Sequence, residues 1–287
     1  MIDFLKRISA VEPLLFDGAM GTMLMQKGVS GPPGDPSSLA AVEEIHREYI
    51  AAGAEAVTAN TFSLNEIYLA KQGLAADPDI LIARQVEAAL RAAQGKAYVF
   101  GDIGPAGELL APYGTGEETA FYRAFLRQAK ALAACGVHGF IVETFFDLRE
   151  ALIALRACRE AADLPVIVSL TFSSAGRGGR TMMGDAAAHI AAKVCENGGD
   201  AVGANCGDLS LEETALVIGN MKEAGLPLIA QPNAGKPVLG ESGAAYHMTP
   251  EVFAQGMRSC LAAGARLLGG CCGTTPAHIA ALKAGIK

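Results

Sequence analysis

Residues 200–231 read DAVGANCGDLSLEETALVIGNMKEAGLPLIAQ. The segment opens on an apolar run, Asp200–Asn205. Ser210 and Glu213 then stand at capping-box spacing ahead of a helical stretch. Gly225 sits where such a stretch stops, and a second apolar run, Pro227–Gln231, follows. Neither run alternates apolar with polar residues, which is the habit of a parallel sheet covered on both faces. The segment reads as one strand–helix–strand unit.

The same unit repeats in both directions. Further runs lie at Leu14–Asp17, Ala56–Asn60, Ala97–Gly101, Gly139–Glu143, Pro165–Leu170 and Arg266–Gly270. Helical stretches separate them. Ser37 precedes LAAVEEIHREYIAAG, in which Val42, Ile45 and Tyr49 share a face. Asp77–Pro78, Thr249–Pro250 and Thr275–Pro276 each pair a cap with a first-turn proline, and Gly53, Gly136 and Gly264 mark ends. Eight strands with eight following helices predict a (β/α)8 TIM barrel filling residues 1–287 as one domain. A doubly wound sheet would bring a GxGxxG turn after its first strand, and DGAMG has the wrong spacing. Val29–Ser38 reads as an irregular loop, and Ser63–Gln72 as the place for an extra helix.

Composition narrows the function. A net charge of −7 without a Lys/Arg block argues against nucleic acid or an acidic membrane as partner. No run approaches a membrane span, and MIDFLKRISA lacks the apolar stretch of a signal peptide, so the expectation is a cytoplasmic protein. Seven cysteines, an odd number, do not suit a secreted disulfide framework.

Chemistry in this fold gathers at the C-terminal ends of the strands. Those ends offer Asp17 with GAMGT, Asn60, Asp102, Glu143, Asn205–Cys206, Gln231-Pro-Asn233 and Gly269-Gly-Cys271-Cys272-Gly273. No Lys and no His stands among them, which disfavours Schiff-base, pyridoxal and His-metal chemistry. GGCCG alone suits packing, a vicinal disulfide or a metal. Cys206, at a second strand tip that can face the same pocket, makes three thiolates with one open position, the set used by catalytic zinc. Cys135, Cys158, Cys195 and Cys260 fall in helical stretches and read as packing residues. None of the five histidines is assigned to metal.

DGAMGT (Asp17–Thr22), ANTF (Ala59–Phe62), DIGP (Asp102–Pro105), ETF (Glu143–Phe145), GANC (Gly203–Cys206), PNAG (Pro232–Gly235) and GGCCGTTPAHI (Gly269–Ile279) run nearly the length of the chain. In that order they resemble the homocysteine S-methyltransferase family, which includes the first module of cobalamin-dependent methionine synthase. The resemblance implies zinc on Cys206, Cys271 and Cys272, with Asn233 in the exchangeable position. It implies homocysteine as acceptor, its thiol ionised on the metal and then methylated. An amino acid needs an anion for its ammonium and N–H donors for its carboxylate. Glu143 is the candidate for the first, and the amides of Gly18, Ala19 and Met20 for the second. Asp17 is expected to brace that loop, and Asn60 and Asp102 to shape the pocket. The chain lacks the Trp of betaine-using relatives, which leaves a methylsulfonium such as S-methylmethionine or a separate methylcorrinoid protein as donor. A zinc-thiolate sensor that binds thiols without transferring methyl is the alternative.

Overall fold

The computed structural model describes residues 3–29, 34–240 and 243–286. Helix α1 (Phe4–Ile8) precedes β1 (Leu14–Leu15), and α2 (Gly21–Gln26) and α3 (Pro36–Ala52) follow it. Next come β2 (Ala56–Thr58), α4 (Glu66–Lys71), α5 (Pro78–Ala93), β3 (Tyr98–Ile103), α6 (Glu118–Ala134), β4 (Gly139–Phe145) and α7 (Leu148–Ala161). The chain continues through β5 (Val166–Leu170), α8 (Ala187–Glu196), β6 (Ala201–Asn205), α9 (Leu211–Gly219) and β7 (Leu228–Gln231). A small antiparallel hairpin, β8 (Val238–Gly240) and β9 (Gly243–Ala245), leads into α10 (Pro250–Ala262), β10 (Ala265–Leu268) and α11 (Pro276–Gly285).

Eight of these strands form one parallel sheet in the order β1-β10-β7-β6-β5-β4-β3-β2. A parallel bridge between Phe16 and Ala56 joins its two ends, giving the expected (β/α)8 barrel. Side chains alternate across a strand, so the barrel has two cores. One lies between strands and helices. The other fills the lower barrel with Leu14, Phe16, Phe100, Ile141, Ile167, Ile229 and Leu267, closed from below by Phe4 and Ile8 of α1. The Phe4 ring meets Phe100 edge-on at 4.7 Å. Further up, on the same parity as this interior layer, stand Thr58, Asp102, Glu143, Ser169, Asn205 and Gln231.

Several boundaries differ from the sequence reading. Helix α3 begins at Pro36 behind Asp35, ahead of the expected Ser37 start, because proline at N1 suits a helix entrance. The expected loop Val29–Ser38 is shortened accordingly, and its residues 30–33 lie outside the described residues. Helix α9 ends at Gly219, where Asn220 Nδ2 donates to the carbonyl of Leu216 at 2.9 Å. Gly225 instead closes a short 3-10 turn at Lys222–Ala224. The extra helix forms as α4, and Ser210–Glu213 forms the expected capping box. Cys158 and Cys260 are buried in α7 and α10, whereas Cys195 of α8 is exposed.

Candidate active site

Cys206 follows β6 directly and adopts a left-handed conformation, φ 56°; Thr144, near the end of β4, does the same at φ 65°. Non-glycine residues pay about 1–2 kcal/mol for that region, and Asn205 supplies the restraint. Its Oδ1 accepts from Thr144 N–H at 3.0 Å and from Ser169 Oγ–H at 2.9 Å, while its Nδ2 donates to Thr144 Oγ1 at 2.7 Å. One buried amide thereby ties β4, β5 and β6 together beneath the cysteine.

The other two sulfurs leave the barrel after β10. Cys271 N–H donates to Pro232 O at 2.9 Å, and Ala234 N–H donates to Cys272 O at 3.0 Å. Thr274 Oγ1 donates to Cys271 O at 2.7 Å and accepts from Ala19 N–H at 3.0 Å. Gly273 lies at φ +80°, and a Cβ there would stand 2.2 Å from the ring of Tyr246. No side chain fits at that turn, so the backbone can release both cysteines toward one place.

The three Sγ atoms lie within 4.8 Å of one another, with Cys271 and Cys272 4.0 Å apart. Metal–sulfur arms of about 2.3 Å in a tetrahedron set sulfurs about 3.8 Å apart, so the trio fits a metal ion with little movement. Hydrogen bonds from Cys206 and Cys271 hold the Cys272 thiol well below its usual range, and Tyr246 acts in the same direction. Among the described residues no other group of His, Cys, Asp or Glu has metal-holding geometry. Asn233 Nδ2 donates to Gly207 O at 2.8 Å, and its Oδ1 is buried with no hydrogen-bond partner among the described residues.

The sulfurs open on a cavity of about 490 Å³ that also receives Asp17, Gly18, Asn60, Asp102 and Glu143. Among the described residues no Lys or Arg lines it. Burial pushes the Asp17 carboxyl up to about 8, with the charge of Glu143 adding. Burial, then the Cys272 charge, raises Glu143 to about 7. Asp102 is raised by burial and by both neighbours. The cavity thus gathers three buried carboxyls and, among the described residues, no cationic side chain to offset them.

The structure thus brings together the sequence-derived residues Asp17, Gly18, Ala19, Met20, Asn60, Asp102, Glu143, Cys206, Cys271 and Cys272. Two details change. The Ala19 amide is committed to Thr274, because that hydroxyl sits against the loop, so it is not free for a carboxylate. Asp17 does more than brace its loop: its carboxylate faces the cavity, held by Thr58 N–H at 2.9 Å and Thr58 Oγ1 at 3.2 Å. Sequence reasoning overlooked Thr274 and Asn205 as organisers, although both lie inside the quoted motifs. It took Tyr49 for a core residue. The ring is buried, but its hydroxyl is shared between Ala19 O at 2.8 Å and Thr274 O at 3.1 Å.

Barrel and site together define an α/β barrel that gathers three cysteine thiols beside a carboxyl-lined cavity at the C-terminal ends of its strands. The family model for homocysteine S-methyltransferases matches residues 14–286, and the chain belongs to that family of S-methyltransferases. It is 32% identical to the methionine synthases of Mycobacterium tuberculosis and Mycobacterium leprae over 94% of its length, and spans about a quarter (24%) of theirs. It also resembles the metallated form of the homocysteine methyltransferase MmuM from Escherichia coli, at 26% identity and TM-score 0.79, covering 97% of this chain and 98% of that one.

Proposed function

We propose that this chain is a zinc-dependent homocysteine S-methyltransferase acting as one homocysteine-binding unit. The observation that carries the reading is the convergence of Cys206, Cys271 and Cys272 beside a carboxyl-lined cavity. Zinc, where bound by those sulfurs, supplies a Lewis acid that keeps a thiol ionised near neutral pH. Asn233 Oδ1, the unpartnered acceptor beside the Cys272 turn, is the protein's own occupant of the exchangeable position. Glu143 receives the substrate ammonium, with Asp17 and Asp102 flanking it. The amides of Gly18 and Met20 face the carboxylate. Asn60, whose Nδ2 is 3.4 Å from Gln85 Oε1, shapes the wall.

Transfer forms a bond from the homocysteine sulfur to the methyl carbon as the bond from that carbon to the donor breaks, and the donor leaves with the electron pair. A neighbouring cleft of about 350 Å³ shares Phe62 and Thr144 with the thiol cavity and adds Tyr68, Phe146, Phe172, Met182 and Asp208. Aromatic faces and a carboxylate suit a methylsulfonium such as S-methylmethionine. The likeness to methionine synthases favours the second reading, a separate methylcorrinoid protein as donor. No described helix is long and apolar enough to cross a membrane, and the reading places the reaction in the cytoplasm without nucleic-acid or membrane partners.

The test is a donor panel on zinc-loaded protein with homocysteine: S-methylmethionine, betaine, methylcobalamin, and methyl-folate with a corrinoid protein, scored for methionine. Methionine from one donor is the expected outcome. Homocysteine binding without methionine from any of them would leave the thiol-sensor alternative in its place.

A further inference from the structure

Helix α3 sends two polar side chains inward one turn apart, His46 and Tyr49, neighbours on one helical face. Tyr49 ties the Ala19 loop to Thr274. His46 has no such bond. It is fully buried, and neither ring nitrogen has a hydrogen-bond partner among the described residues. Leaving a buried polar atom unpaired costs about 1–3 kcal/mol, so an imidazole with two such atoms calls for a reason. Its nearest carboxylate is Asp17, with Nδ1 3.9 Å from Oδ2. That oxygen already accepts Thr58 N–H, and its partner Oδ1 accepts Thr58 Oγ1. Asp17 is therefore gripped from β2 on one side and faces an unengaged ring from α3 on another.

The remaining charges fix the direction in which the pair works. Asp17 is faced by Glu143 of β4, by Asp102 of β3 and by Tyr49 of α3. His46 is faced by Asp17 and by Glu43 of its own helix. Burial lowers His46 to about 4, so the ring is neutral and carries one N–H. Among the described residues every ionisable neighbour of Asp17 is acidic or neutral, and only hydrogen-bond donors favour its charged form. Hydrogen bonds in an unliganded site are commonly long and tighten when the ligand arrives.

We infer that His46 is a positioning residue for substrate binding: when an amino acid's ammonium enters the cavity, Asp17 gives up its proton to solvent and His46 Nδ1–H closes on Oδ2, holding Asp17 as the carboxylate that shares the ammonium with Glu143. The inference deepens the proposed function and rests on its placement of the ammonium, not on the metal or the donor.

L-Norleucine has the ammonium and carboxylate of the proposed substrate and no thiol, so its binding reads this step alone. Calorimetric titration from pH 5 to 9 is expected to show wild-type affinity falling on the acid side. His46→Leu should raise Kd about tenfold at pH 7 and move that acid limb to higher pH. His46→Asn keeps an N–H near the Nδ1 position and should return Kd to within about threefold of wild type. In an Asp17→Asn background, His46→Leu should change nothing further. Nitrogen NMR of labelled histidine in the ligand-free protein should show His46 protonated at Nδ1. An Nε2–H ring, a wild type that does not bind norleucine, or a His46→Leu profile matching wild type would each overturn the inference. A donor panel that yields no methionine while these results hold would fell the methyl-transfer reading and leave His46 in its role.

Discussion

The two ends of the barrel use the same strands for opposite purposes. At the lower end Phe16, Phe100, Ile141, Ile167 and Ile229 form one buried hydrophobic cluster with Phe4 and Ile8 of α1. On the same parity of β3, β4, β5 and β7 the next inward residues are Asp102, Glu143, Ser169 and Gln231. There Asp102 Oδ1, Gln231 Oε1 and, just beyond, Asn233 Oδ1 are buried without partners among the described residues. Two residues along a strand, about 7 Å, separate a closed apolar plug from a polar floor with unspent hydrogen-bonding capacity. Folding free energy comes from the first, and the second spends some of it to hold groups ready for a ligand.

If the division is real, substitutions at the two ends should fail differently. Cys206→Ser carries the largest expected effect. Reduced, metal-loaded variant protein should lose its metal on gel filtration and form no methionine, while its metal-free thermal unfolding stays close to that of the wild type. A variant that keeps both metal and turnover would remove Cys206 from the ligand set. Phe100→Ala should behave in the opposite way. It opens a void against Phe4 and Phe16 and should cost about 3–5 kcal/mol in urea unfolding, with metal stoichiometry unchanged. A loss below about 1 kcal/mol would mean the plug is not where the stability lies.

Glu150 sharpens the comparison by separating burial from function. It belongs to α7, accepts Ala106 N–H at 2.7 Å and does not line the thiol cavity, yet burial raises it to about 7. A raised carboxyl by itself is therefore no mark of the site; convergence with other groups is. The folded chain keeps a proton on Glu150 that the unfolded chain gives up near 4.5. The stability it contributes is full below that value and is lost as pH rises through about 7. Relative to Glu150→Gln, which stays neutral, the wild type should lose about 2.5 kcal/mol between pH 5 and pH 8. A difference that does not change with pH would show Glu150 ionised in the fold throughout.

Much of this was legible in the sequence because two physical signals are local. Continuous apolar runs between capped helices give the barrel, and the place where each run turns polar gives the floor: Phe100 before Asp102, Ile141 before Glu143. Cys206 and GGCCG stood out because three thiols at strand ends have few structural uses. What stayed hidden depends on tertiary contact. Tyr49 fits the apolar face of α3 as well as Ile45 does, and only the fold brings its hydroxyl to Thr274, 225 residues away. His46 lies on the same helix and looks like any helical histidine until Asp17 is placed beside it. Ala19 was expected to present a free amide, and a distant hydroxyl occupies it.

Tyr49→Phe is the smallest and most discriminating case, because Tyr49 stands where the two regions meet. Its ring is fully buried on the helix side of the barrel wall, and its hydroxyl supports the DGAMGT loop and the GGCCGTT turn together. Removing the oxygen keeps the packing and takes one donor from two carbonyls, a loss of about 1 kcal/mol. If the hydroxyl only steadies the fold, unfolding shifts by that amount and homocysteine binds as before. If it holds the rim, the slack passes through Thr274 to Ala19 and Cys271, both bonded to its side chain. Homocysteine Kd should then rise a few-fold while metal content stays whole, since Cys271 keeps its bond to Pro232 O. The second result is expected. The first would move Tyr49 into the stabilising half of the molecule and leave Thr274 as the sole organiser of the loop.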